Sequence, residues 1–211
     1  MRRFYILFIT FITFLTVFTF SCKKSSNNSE VAAVADYYNL QVGNYWIYQW
    51  YTINNSDTTF QTQFDSAYIE KDTVIRGYTY YKLMSNPSIL NPDQFPSYLR
   101  DSSGFLVLST GIRICSNSDF KDTLSIDTTR DYSYFRFYET MTGKDSIVTV
   151  PLGSFQTVTS RTRVVPVQTG QFPIRYIYDV YAKNLGKIKS HNFYVNGGEQ
   201  IESRLVRMKM K

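Results

Sequence analysis

The sequence predicts an all-β, mainly antiparallel fold: a curved meander sheet, barrel or half-barrel, with little helix. Three observations predict it. Aromatic and β-branched residues alternate with polar ones over runs of strand length. Gly, Asn and Pro turn signals separate those runs at short intervals. No long stretch keeps a helical period between caps, and no unit recurs at a fixed spacing. About ten strands joined in chain order make a sheet too wide to stay flat, so curvature follows.

Tyr37 to Ile53 reads as the first strand, entered through a turn at Gly43-Asn44, with Trp46, Tyr48 and Trp50 on one face. Phe60 to Lys71 and Tyr78 to Met84 form a hairpin around DTVIRG, where Gly77 supplies the positive φ of a tight reversal. Tyr98 to Asp101 and Phe105 to Ser109 form a second hairpin around Ser102-Ser103-Gly104. Between them NPSILNPDQFP holds Pro87, Pro92 and Pro96, which exclude a central strand. Asn117 to Arg130 is polar and reads as a long connection. Tyr132 to Thr140 and Ser146 to Val150 are strands around Met141-Thr142-Gly143-Lys144, followed by a turn in VPLGSF. Phe155 to Pro166, Arg175 to Ala182, Lys187 to Tyr194 and Glu199 to Lys211 complete the sheet.

The amino-terminal segment is different in kind. Arg2 and Arg3 precede an uncharged apolar run from Phe4 to Phe20, which ends at Ser21-Cys22. This order resembles the lipobox of bacterial lipoproteins, although Thr19 and Phe20 replace its commoner residues. The resemblance implies cleavage after residue 21 and acylation of Cys22, for instance by palmitate, which anchors the protein in the membrane. A plain cleaved signal or an uncleaved anchor are the other readings, and all three export the body. Residues 1–21 are then the lipoprotein signal peptide, 22–35 a flexible tether and 36–211 a single antiparallel β domain. The tether assignment rests on KKSSNNSE, which has no large apolar residue to bury. Lys23 follows the cysteine, and by resemblance to known sorting rules this points to the outer membrane of the cell envelope.

Formal net charge is +6, and +4 once Arg2 and Arg3 are removed. Lys and Arg are scattered among acids without a nucleic-acid motif, so no nucleic-acid partner is expected. If Cys22 is acylated, Cys115 has no partner and reads as a small buried hydrophobe; otherwise a Cys22–Cys115 disulfide is open.

Leu40, Gly43-Asn44, Trp46 and Tyr48 resemble the opening strand of Gram-negative outer-envelope lipoproteins of unassigned function, and VPLGSF and YAKNLGKIK recur in that group. The group is similar to lipoprotein-carrier-like β half-barrels, which implies a concave apolar face. Trp46, Tyr48, Trp50, Phe135, Phe137, Tyr176 and Tyr178 are the residues expected to fill the core or line that ligand face.

Catalytic signals are sparse. His191 is the only histidine, without a nucleophile motif beside it, and reads as structural. No metal site or cofactor is predicted: zinc ligands are lacking, and Asp119, Asp122, Asp127 and Asp131 do not match a calcium loop. Glu70, Glu139, Glu199 and Glu202 are candidates for paired glycosidase carboxylates only by default. Seven of the twelve Asp residues precede Ser or Thr, which suits turns. Six of these sites also resemble the bacterial O-glycan acceptor, implying sugars on Thr58, Ser66, Thr73, Thr123, Thr128 and Ser146 in exposed positions. The expected function is a membrane-anchored exported lipoprotein whose non-enzymatic domain binds an apolar or glycan ligand or serves as an accessory subunit. An envelope polysaccharide hydrolase and a structural module of a surface assembly are the alternatives.

Overall fold

The computed structural model describes residues 35–54, 57–86, 96–127, 134–168, 172–193 and 199–211, all within the compact unit Val31–Lys211. A short helix, α1 (Ala35–Tyr38), precedes β1 (Tyr45–Asn54), β2 (Asp57–Ile75), β3 (Tyr78–Ser85), β4 (Ser97–Ser102), β5 (Phe105–Leu108) and β6 (Arg113–Ser116). Then come β7 (Thr123–Asp127), β8 (Phe135–Val150), β9 (Gly153–Pro166), β10 (Arg175–Ala182), β11 (Gly186–Phe193) and β12 (Gln200–Lys209). Each strand pairs antiparallel with its chain neighbour except at one seam, and β1 pairs with β12, giving the order β6-β5-β4-β3-β2-β1-β12-β11-β10-β9-β8-β7. The two free edges therefore belong to consecutive strands, β6 and β7, and the sheet is a nearly closed barrel. At that seam the Ser125 hydroxyl donates to the Arg113 carbonyl at 2.9 Å. From β9, the Ser160 hydroxyl donates to the Ile114 carbonyl at 2.7 Å.

The all-β meander is as predicted; β6 is an additional strand, and the larger boundary changes fall in four places. Tyr37-Tyr38 belongs to α1 instead of the first strand. DTVI is strand: Asp72–Ile75 pair with Tyr81–Tyr78, and the reversal shrinks to Arg76-Gly77, both at positive φ (51° and 81°), as a two-residue hairpin turn requires. MTGK is strand too. Gly143 is there for close approach, because a Cβ would lie 2.9 Å from the Thr159 hydroxyl oxygen of β9. The predicted polar connection contains β7, shortened to that length by Asp119, whose Oδ1 accepts the backbone N–H groups of Lys121 and Asp122. The segment 87–95 lies outside the described residues.

Two apolar clusters hold the barrel. One joins Tyr38, Leu99, Leu106, Cys115, Leu124, Met141, Val158 and Tyr181. Cys115 is completely buried there, and burial pushes its thiol well above the ordinary range, so it is a small core residue. The other joins Trp46, Tyr48, Ile69, Val150, Val180, Ala182, Ile188 and Leu205. It is completed by the tip of the β8–β9 hairpin, which runs past the end of β10 and folds onto β12, where Leu152 N–H donates to the Leu205 carbonyl. The predicted turn at Gly43-Asn44 ties the ends together: buried Asn44 donates to the Asn39 carbonyl at 2.7 Å and accepts the Lys211 N–H at 2.9 Å.

Candidate functional site

Successive β residues point to opposite faces, and the lumen collects one set of them. Tyr48 and Trp50 of β1, Asp65 of β2, Glu139 of β8, Ser160 and Thr162 of β9, Asp179 and Tyr181 of β10, and Lys187, Ser190 and Asn192 of β11 all border it. Two adjoining cavities of about 450 and 290 Å³ share Tyr38, Leu83, Ser97, Lys187 and Ser190 in their walls. The larger of the two falls within the roughly 300–1,000 Å³ of small-molecule sites.

The polar groups of this space are held in specific ways. Trp50 Nε1–H donates to Asp65 Oδ2 at 2.7 Å, while Asp65 Oδ1 is buried without a hydrogen-bond partner among the described residues. Burial raises the Asp65 pKa, and the Trp50 bond opposes that rise only in part. Thr162 donates to Glu139 Oε2 at 2.6 Å, and Lys187 Nζ stands 3.5 Å from Asp179 Oδ1. Tyr48 donates to the Lys187 carbonyl at 2.8 Å, fixing the bulged start of β11. Burial raises the phenols of Tyr38, Tyr48 and Tyr181, so they remain neutral.

The predicted aromatic ligand face divides into four groups. Trp46 is core, 2% exposed, and its Nε1–H donates to the Leu185 carbonyl. Tyr48 and Trp50 line the lumen. Phe135 rests against Phe172 with centroids 5.6 Å apart, and Phe137 sits beside Asp127 in register. Tyr176 and Tyr178 point the other way, into an outer groove of about 340 Å³ bordered also by Arg175, His191, Phe193 and Gln200. The concave side is mixed: Leu83, Leu99, Leu108, Ile114 and Ile177 share it with three carboxylates, a lysine and several hydroxyls.

On the outer face, Glu202 is buried beneath Lys189 Nζ (2.6 Å), Arg204 Nη2 (2.6 Å) and His191 Nδ1 (3.5 Å). Burial works against its charge, but bonds from His191, Lys189 and Arg204 outweigh it and hold its pKa at about 2. His191 is thus built into a charged cluster and stacks edge-on against Tyr178. Of the default carboxylates only Glu139 reaches the lumen; Glu70 pairs with Lys82 at 2.7 Å, and Glu199 is exposed. Sequence reasoning missed Asp65 and Asp179. The available signal was a single acid inside the otherwise aromatic and aliphatic run YIYDVYA.

Of the six glycan-acceptor positions, Thr58, Thr123 and Ser146 are exposed and Thr73 is half-buried. Ser66 is only 8% exposed, unlike the exposed position expected of an acceptor. Thr128 and Cys22 lie outside the described residues. Among the described residues no three His, Cys, Asp or Glu side chains converge as a metal group.

No family model and no curated protein matches this sequence. Among solved structures, the chain is similar to a candidate exported protein with a YmcC-like fold from Bacteroides fragilis NCTC 9343, at 13% identity and a TM-score of 0.53. The match covers 82% of this chain and 99% of that one. The two share a fold. A candidate lipoprotein from Parabacteroides distasonis ATCC 8503 matches at 12% identity and a TM-score of 0.42, over 81% of this chain and 96% of that one.

Proposed function

We propose that the protein is a lipid-anchored envelope protein of the outer membrane whose barrel lumen binds a short glycan or a similar polyhydroxylated ligand. The observation that carries this reading is the lining of the lumen. An acyl chain would desolvate Asp65, Glu139 and Asp179 without replacing their hydrogen bonds, at a cost of several kcal/mol. Sugar hydroxyls would satisfy the same oxygens, and the indole of Trp50 offers a stacking face. The leader ending at Cys22 supports anchoring.

Two measurements test this reading. Intact-mass spectrometry of the protein from its native membrane should give a chain starting at Cys22 with added acyl mass; a chain starting at Met1 without acyl mass would defeat the lipid anchor. Native mass spectrometry of the detergent-solubilised chain against a panel of short glycans should find a bound species. Trp50→Ala or Asp179→Asn should weaken it by about tenfold, the equivalent of one to two lost polar or stacking contacts.

Glu139 and Asp179 border the same cavity, and that favours one second reading, a glycan hydrolase using the pair as acid and base. Such an enzyme would release new reducing ends from the bound glycan, and Glu139→Gln would abolish the release. Binding without release leaves the non-enzymatic reading in place.

A further inference from the structure

The outer groove is a separate feature, on the opposite face of β10 from the lumen, since Tyr178 and Asp179 are consecutive residues of one strand. Register carries a band across the outside: Thr140 faces Arg161, Arg161 faces Tyr178, Tyr178 faces His191, His191 faces Glu202, and Glu202 faces Tyr51. The next level brings Tyr138, Arg163 and Tyr176 together. Cations and rings therefore interleave. The guanidinium of Arg161 lies 5.4 Å from the Tyr176 centroid and that of Arg175 lies 5.1 Å from Phe193. The rings of Tyr176 and Tyr178 stand 6.4 Å apart at 31°, forming a shallow floor.

The charge on this face is one-sided. Arg161, Arg163, Arg175, Lys189 and Arg204 contribute positive charge, while Glu202 is already shared by Lys189, Arg204 and His191. Exposed Glu199, next to Gln200 in sequence, is the other acid nearby. Arg161 Nε has no hydrogen-bond acceptor among the described residues. A concave site with tyrosine faces for stacking and guanidinium groups for paired bonds to carboxylates matches one partner chemistry.

We propose that this groove binds an anionic polysaccharide through its uronate units, with Tyr176 and Tyr178 under the sugar rings and Arg175 on the carboxylates. It is independent of the lumen. The test titrates the full chain in nonionic detergent with tetragalacturonate, with a neutral tetrasaccharide, and with vesicles containing anionic phospholipid. The uronate should bind about tenfold more tightly than the neutral sugar at low salt and lose affinity as salt rises. Tyr176→Ala and Arg175→Gln should each cost about tenfold, while Lys71→Gln, at an exposed position of β2 away from the groove, should leave this binding unchanged. Equal affinity for neutral and charged sugars, or no binding of either, overturns the proposal. So does binding to vesicles alone, which would make the face a membrane contact.

Discussion

Trp46→Ala should destabilise the fold by about 3–5 kcal/mol, the range for truncating a fully buried large aromatic. Trp46 is only 2% exposed and sits where the first and last strands pair, in the middle of the sheet. It faces Met208 across the β1–β12 pair and Ala67 across the β1–β2 pair. Its ring lies 6.1 Å from that of Tyr38, which bears on Tyr181 of β10 in turn. Its Nε1–H holds the Leu185 carbonyl in the β10–β11 turn, and a Cβ built on Gly186 would sit 3.4 Å from the indole. Gly186, at φ +91°, thus lets the backbone both turn and lie flat on the ring. Removing the indole opens a cavity at the point where the first and last strands meet, and it strands a carbonyl. For a domain of this size the expected fall in Tm is roughly 6–20 °C. Trp46→Phe keeps most of the apolar contact and loses the hydrogen bond, so it should cost only about 1–2 kcal/mol. Guanidinium unfolding followed by circular dichroism separates the two variants. A Trp46→Ala protein within about 1 kcal/mol of the parent would show that the pairing of first and last strands does not depend on this side chain.

The same residue shows how far the sequence reaches. Trp46, Tyr48 and Trp50 sit at period two in a run that favours strand at nearly every position, so a strand with one aromatic face is legible. What that face meets is not legible, because it depends on which distant strands close the sheet. The pairing of β1 with β12 spans most of the chain, and local pattern carries no signal for it. Gly143 failed as a turn signal for a similar reason: its role is set by Thr159 on the neighbouring strand. The polar lumen is equally a product of register. Asp65 precedes Ser66 and looks like a turn acid in one dimension, and only strand pairing brings it and Asp179 to adjoining cavities that share Lys187 in their walls. Tyr176 and Tyr178 were expected among the ligand-face aromatics; their parity relative to Asp179 puts them outside.

Glu202→Gln should cost roughly 2–3 kcal/mol at neutral pH, and the cost should vanish in acid. The carboxylate holds a pKa of about 2 against an ordinary 4.5, and each tenfold change in proton affinity corresponds to about 1.4 kcal/mol. Solvent reaching the cations above it trims the full product, which is why the lower end of that range is included. Proton linkage sets the sign. The folded protein binds the Glu202 proton more weakly than the unfolded chain does, so the carboxylate stabilises the fold fully above about 4.5 and loses that contribution as pH falls towards about 2. Glutamine keeps the shape and removes the charge, leaving Lys189, Arg204 and His191 crowded together without an anion. The difference in unfolding free energy between parent and variant should therefore be largest at about pH 5 and above and close to zero near about pH 2. Denaturant titrations across that range measure it directly. A difference that stays constant throughout would mean that glutamine disturbs packing and that the carboxylate's charge contributes little. The comparison also bears on the outer groove, since freeing Lys189 and Arg204 from Glu202 should strengthen an anionic saccharide on the same face while it weakens the fold.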